Sequence, residues 1–94
     1  MDWVAKCPRT FLTTELLKQL IRSGTSVGAN TEEAGDAQSD KDEASKLGIA
    51  LKEVRESRYW LRLLKKRIRE QNDVDGLIQE ATELANIMKS RIRN

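Results

Sequence analysis

The segment from Leu20 to Ala34 most constrains the fold of this chain, because its composition and its periodicity point to different structures. It reads LIRSGTSVGANTEEA, and its glycines, serines and threonines would ordinarily mark a turn. Small and apolar residues nevertheless recur here in steps of three and four, which places them on one face of a helix. They are Leu16, Leu20, Gly24, Val27, Thr31 and Ala34. The register therefore predicts a continuous helix whose small-residue face lets another helix approach closely, since interhelical distance follows side-chain size.

Size and composition indicate one small domain over residues 1–94. The chain is 38% hydrophobic and 34% charged, which is typical of an amphipathic helical protein rather than a disordered one. A core of this size is modest, so assembly into an oligomer would help to stabilise it. The only cysteine is Cys7, and neither a signal peptide nor an apolar run of about 20 residues is visible. We therefore expect a cytoplasmic protein without a membrane partner.

Capping residues and Pro8 divide the chain into a short first segment and three long helices. The first long helix is predicted to begin near residues 11–14, with Thr13 or Thr14 as its N-cap, and to end at about Gly35. Residues 35–42 form the connection, in which Ser39 and Asp40 are candidate caps for the next helix.

Apolar stripes define the remaining two helices, predicted over residues 41–70 and 74–92. The predicted buried residues are Leu47, Ala50, Val54, Ser57, Trp60, Leu61, Leu64 and Ile68 in the former and Leu77, Ala81, Leu84, Met88 and Ile92 in the latter. No strand pattern appears. The sequence thus predicts an all-α, antiparallel up-and-down helical bundle.

A basic ridge follows the second half of the middle helix. It consists of Arg55, Arg58, Arg62, Lys65 and Arg69, spaced three and four apart, with Lys66 beside it. At the α-helical rise the ridge is about 21 Å long, and correctly placed cations are enough to contact several phosphates. Such runs are also often merely solvated helix faces. The ridge is therefore our candidate nucleic-acid contact.

Glu53 falls inside the predicted apolar face and needs a partner, because burial of an unpaired carboxylate is costly. Arg22 is the candidate. A proton-transfer carboxylate is the functional interpretation, but a buried polar pair that fixes helix register is favoured, since no second acid or base is apparent.

Other enzyme chemistry finds no support in the sequence. The acidic residues 36–43 lack calcium-loop spacing, Cys7 has no histidine to activate it, and residues 24–28 lack the Walker spacing and its lysine. We expect no catalysis, no metal, no cofactor and no small-molecule substrate.

Two segments carry a resemblance to a known family: residues 19–34, QLIRSGTSVGANTEEA, and residues 46–64, KLGIALKEVRESRYWLRLL. They resemble the four-helix-bundle proteins encoded within intervening sequences of 23S ribosomal RNA genes. A related protein is the accessory variability determinant of diversity-generating retroelements, a basic partner of a reverse transcriptase and its RNA. The resemblance implies an antiparallel bundle that forms rings, expected to be pentameric, without known catalytic activity.

The family's polar signature maps onto the opening segment and the middle helix. The predicted helix-packing seam and polar network comprise Arg22, Gly24, Ser26, Gly28, Asn30, Glu33, Glu53, Tyr59 and Trp60, and the signature also includes Ser23 and Glu56. Two features depart from the family. Only seven residues precede Pro8, which predicts a first helix reduced to a stub, and Glu43-Ala44 replaces apolar residues, which predicts weaker packing there.

The sequence therefore predicts a non-catalytic, oligomeric bundle whose basic ridge contacts RNA, DNA or a nucleic-acid-bound protein. The alternative is a purely structural or protein-interaction module whose charged ridge only keeps it soluble.

Overall fold

Four helices account for nearly all of the computed structural model, which describes residues 2–5, 7–68 and 71–93. They are α1 (Asp2–Ala5), α2 (Phe11–Gly35), α3 (Asp40–Lys65) and α4 (Asn72–Arg93). No strand occurs within these ranges, so the predicted all-α class is confirmed. None of the described helices carries an apolar stretch long enough to cross a bilayer.

Cross-helix contacts show that consecutive long helices run antiparallel. Between α2 and α3, Ser23 bonds to Ser57 and Glu33 pairs with Lys46, so the residue number falls on one helix as it rises on the other. Between α3 and α4, Lys65 pairs with Asp75 at one end and Glu43 with Arg91 at the other. Helix α3 is therefore the central helix, and α2 and α4 both pack along it.

The opening segment belongs to a single uninterrupted helix, as its register predicts. That helix begins at Phe11, within the predicted range, but its N-cap is Thr10 rather than Thr13 or Thr14: the Thr10 hydroxyl accepts from the Thr13 backbone N–H at 3.2 Å. Gly35 is its last residue and has no positive φ, so the glycine is not needed for a left-handed cap. The connection is accordingly shorter than predicted, spanning residues 36–39.

The face that α2 buries is rotated from the predicted one at its centre. Ser23 is fully buried, whereas Gly24 and Thr31 are exposed. The buried or half-buried stripe comprises Thr13, Leu16, Leu20, Ser23, Val27, Asn30 and Ala34, again in steps of three and four. Of these, Leu16, Leu20 and Val27 pack in clusters with residues of α3 and α4. The sequence permits either register after Leu20. Packing selects Ser23 because Ser57 lies opposite it, with the two hydroxyl oxygens 2.7 Å apart.

In the part of the chain that the structure describes, no helix packs closely on Gly24 or Gly28, the predicted close-approach seam. Among the described residues, no heavy atom beyond the local helix lies within 4 Å of where a Cβ would stand at either glycine. Both are on the flank of α2 that points away from the residues bonded to α3. Their small size therefore serves no packing contact in the chain by itself.

The short helix α1 closes one end of the bundle. Trp3 and Cys7 are buried against Leu16, Leu61 and Leu64. The expected stub is thus present, and it covers apolar side chains of α2 and α3. Burial also raises the pKa of the Cys7 thiol.

The sequence predicts the start of α3 correctly but places its end too late. Ser39 caps its start, accepting from the Asp42 backbone N–H at 3.0 Å as its spacing predicts. The helix ends at Lys65, five residues before the predicted end, and the Gln71 amide donates to the Lys65 carbonyl at 3.0 Å. Residues 69 and 70 lie outside the described part of the chain.

Helix α4 buries Val74, Ala85 and Met88. Leu84, predicted to be in its stripe, is 38% exposed. The predicted stripe is wrong by one position here, because Ala85 rather than Leu84 follows Ala81 on the buried face of α4.

Candidate nucleic-acid interface

The outward side of α3 presents a continuous line of exposed side chains that contains four cations. Its members are Lys52, Arg55, Tyr59, Arg62 and Lys66, separated by three, four, three and four residues, and we call this line the basic face. All five are exposed. From Lys52 to Lys66 the rise is about 21 Å.

The basic face differs from the predicted ridge because α4 packs on one side of it. The Arg58 guanidinium donates to the Thr82 hydroxyl at 3.2 Å, and the Lys65 ammonium pairs with Asp75 at 2.6 Å. Both cations are half-buried, so they tie α3 to α4 rather than face solvent. Arg69, the last predicted member, lies outside the described residues. Of the predicted ridge, Arg55, Arg62 and Lys66 remain open, and Lys52 is a member that sequence reasoning missed.

The two carboxylates in the same part of α3 are both engaged by one arginine of α2. Arg22 contacts Glu53 through Nη1 at 3.4 Å and Glu56 through Nη2 at 3.0 Å. The Glu53 side chain is 13% exposed, which fits its predicted place on the apolar face and its predicted partner. Both carboxylates are thereby turned toward α2, and the Arg22 charge offsets one of their two negative charges.

Tyr59 lies at the centre of the basic face and is 53% exposed. Its ring meets the Trp60 ring edge to face, with centroids 5.0 Å apart and planes at 60°. Trp60 itself packs against the core cluster that contains Trp3 and Cys7. The exposed tyrosine ring is therefore held against a side chain anchored in the core.

Comparisons with known proteins identify the relatives of this bundle. The family model for the 23S rRNA-intervening sequence protein matches residues 3–90. The chain belongs to this family. A solved relative is a protein of unknown function from the S23 ribosomal protein family of Bacteroides thetaiotaomicron, 44% identical, with a TM-score of 0.75. The match covers 84% of this chain and 74% of that one. Among curated proteins, no match was found.

Other polar residues of the 23S rRNA-intervening sequence signature make local or interhelical bonds. The Asn30 amide donates to the Ser26 carbonyl at 2.9 Å and to its hydroxyl at 3.2 Å, within α2. Glu33 pairs with Lys46 at 3.0 Å, and this bond and the carboxylate charge raise the pKa of Lys46. These polar residues thus make either α2–α3 contacts or bonds within α2, whereas Gly24 and Gly28 make neither.

The departure from the family at Glu43 has a compensating contact. Arg91 donates to both Glu43 carboxylate oxygens, at 3.0 and 3.3 Å, and these bonds raise the pKa of Arg91. A bidentate contact of this kind fixes the relative orientation of the two side chains as well as the distance between them. It joins the start of α3 to the end of α4, where the sequence predicts weaker packing.

The described residues contain no group of three or more His, Cys, Asp or Glu side chains that could hold a metal ion. The clefts at the two ends of the α3–α4 pair are open and lined by ion-paired side chains, Arg91 with Glu43 and Lys65 with Asp75. The best-defined chemical feature of the surface is therefore the basic face.

Proposed function

We propose that this chain is a non-catalytic, nucleic-acid-associated protein that contacts RNA or DNA phosphates through its basic face, as an accessory factor of a nucleic acid or a ribonucleoprotein. The observation that carries the proposal is the charge pattern of α3. Four exposed cations share one line, while Glu53 and Glu56 are engaged by Arg22. Phosphate binding gains free energy from released counterions, and it needs cations without competing carboxylates.

The same face gives the expected strength of the salt dependence. Each phosphate neutralised adds about 0.7 to 0.9 to the slope of log affinity against log salt. If all four cations of the basic face contact phosphates, the slope is about 3 to 4. Binding should therefore be strong at low salt and weak at high salt.

The test compares two triple variants that remove equal charge. One replaces Arg55, Arg62 and Lys66 with Gln on the basic face. The control replaces the exposed cations Arg9, Lys18 and Lys89 with Gln, none of which lies on α3. Fluorescence anisotropy with labelled RNA and DNA oligonucleotides is measured over a range of salt concentrations.

The basic-face variant should lose about 2 to 3 from the salt slope, whereas the control should lose far less. The proposal fails if the unaltered protein retains neither RNA nor DNA at low salt. It also fails if both triple variants lose binding equally, because net charge rather than the basic face would then account for binding.

A structural or protein-interaction module is the second candidate function, favoured by large apolar side chains on the surface. Phe11, Ile21 and Ile87 are 84%, 60% and 65% exposed. Such side chains fit self-association, and with the family resemblance they lead us to propose a homo-oligomeric ring, with a pentamer as the expected size. Light scattering gives the subunit count. Nucleic-acid absorbance that persists through gentle purification favours the first candidate, and protein free of nucleic acid favours the second.

We also propose a cytoplasmic location for the protein. The lone thiol of Cys7 is buried and suits a reducing compartment.

A further inference from the structure

The position of Tyr59 narrows the kind of nucleic acid that the basic face fits. Arg55 stands four residues before it and Arg62 three residues after it, so each is its neighbour on the helix surface. Lys52 and Lys66 lie seven residues away on either side, which is about 10 Å along the helix axis. An aromatic ring thus stands midway along a line of four exposed cations.

The tyrosine ring is also restrained before any ligand arrives. Its contact with Trp60 fixes one side of the ring, and Trp60 is anchored in the core. Slightly more than half of the Tyr59 side chain remains open to solvent. A tyrosine has few rotatable bonds, so ordering it costs little conformational entropy. The exposed ring can consequently stack against a planar group of a ligand.

Single strands and duplexes use these two features differently. In a duplex the faces of the bases are covered by their neighbours, and only phosphates and groove edges are accessible. Proteins that bind single strands combine cations that follow the backbone with aromatic rings on which unpaired bases stack. The basic face has this combination.

We infer that the basic face binds a single-stranded segment of RNA or DNA and that an unpaired base stacks on Tyr59. This inference rests on the proposed function, because the cations must first bind the phosphates. Stacking adds affinity that does not depend on salt, whereas the four cations determine the salt slope.

The test compares Tyr59→Ala with Tyr59→Phe, which keeps the ring and removes only the hydroxyl. Binding is measured by anisotropy for single-stranded RNA, single-stranded DNA and a duplex of equal length. Tyr59→Ala should weaken single-strand binding about 5- to 150-fold with an unchanged salt slope. Tyr59→Phe should bind like the unaltered protein, and duplex binding should be the same for all three. The RNA and DNA arms establish which sugar is preferred.

Photo-crosslinking gives a second readout that does not depend on stability. A single-stranded oligonucleotide that contains 5-iodouracil should crosslink at residue 59, as mapped by mass spectrometry, and the crosslink should be lost in Tyr59→Ala. Circular dichroism should show unchanged helicity in both variants.

The outcomes separate this inference from the proposed function. If the basic-face triple variant loses its salt slope but Tyr59→Ala binds single strands normally, the inference is wrong and the proposed function stands. Tighter binding to the duplex than to the single strand also overturns the inference. If the unaltered protein binds no nucleic acid, both fail.

Discussion

Replacing Gly24 and Gly28 with alanine should stabilise this chain, although both lie in the segment that most defines the family resemblance. Each glycine is exposed, lies well inside α2 and has no positive φ. A Cβ would meet no heavy atom within 4 Å at either position. Nothing in the described part of the chain therefore opposes the substitution, and the helix gains from the lower backbone entropy of alanine in the unfolded state.

The magnitude follows from helix propensity. Alanine is more favourable than glycine in a helix interior by about 0.8 to 1 kcal/mol per site, so the double variant should gain about 1.6 to 2 kcal/mol. For a domain of this size 1 kcal/mol corresponds to about 4 to 8 °C in Tm. Thermal melts followed by circular dichroism should therefore rise by about 6 to 16 °C, and urea titrations should show an unchanged m-value.

Gly48→Ala is the matched control, because Gly48 is exposed on α3 and its Cβ position is equally open. It should gain about 1 kcal/mol. Stabilisation by Gly48→Ala together with destabilisation by Gly24→Ala or Gly28→Ala would contradict this prediction. A concentration-dependent loss at the α2 glycines would show that a helix of another copy packs closely on that flank.

Three further predictions concern buried or paired groups. Ser57→Ala should lower the free energy of unfolding, measured by urea titration, by about 1 kcal/mol. The Ser23→Ala/Ser57→Ala double variant should lose less than the sum of the two single-variant losses, because both remove the same hydrogen bond. Glu53→Gln should lower the free energy of unfolding by about 1 kcal/mol, a modest loss because its partner Arg22 is partly exposed. If the loss is the same in an Arg22→Gln background, the two side chains do not stabilise the fold as a pair. Cys7 should react slowly with iodoacetamide at neutral pH and rapidly in denaturant, since burial and a raised pKa keep it a shielded thiol.

The helical architecture could be predicted because local and global signals agree. Apolar residues at steps of three and four define each long helix, and Ser39 marks the start of α3 by a side-chain bond within four residues of sequence. The antiparallel order follows from short connections. These features depend on near neighbours in the chain, which a sequence displays directly.

The buried face of α2 could not be predicted to within one position. After Leu20 the next contact can be Ser23 or Gly24, and the two differ by about 100° around the helix. Hydrophobicity does not separate a serine from a glycine well. The choice depends on Ser57, which is 34 residues away in sequence and supplies the buried hydrogen bond.

The same difficulty affected the candidate site. Spacing along α3 places Arg58 and Lys65 on a ridge with Arg62, but it does not reveal which side of that ridge α4 occupies. In the structure Arg58 contacts Thr82 and Lys65 pairs with Asp75, so neither cation faces solvent fully. A helical wheel alone gives angles, and only the position of the neighbouring helix converts an angle into exposure.

Arg22 pairs with two carboxylates of α3, so the charge that the surface of α3 presents depends on the folded chain. A synthetic peptide of residues 40–65 would lack Arg22, so its Glu53 and Glu56 would be free to swing toward the cations and to repel phosphates. Such a peptide would be a poor surrogate for the protein in binding experiments. Partial unfolding that separates α2 from α3 would in the same way expose both negative charges, so the polarity of this surface depends on the docking of α2 against α3.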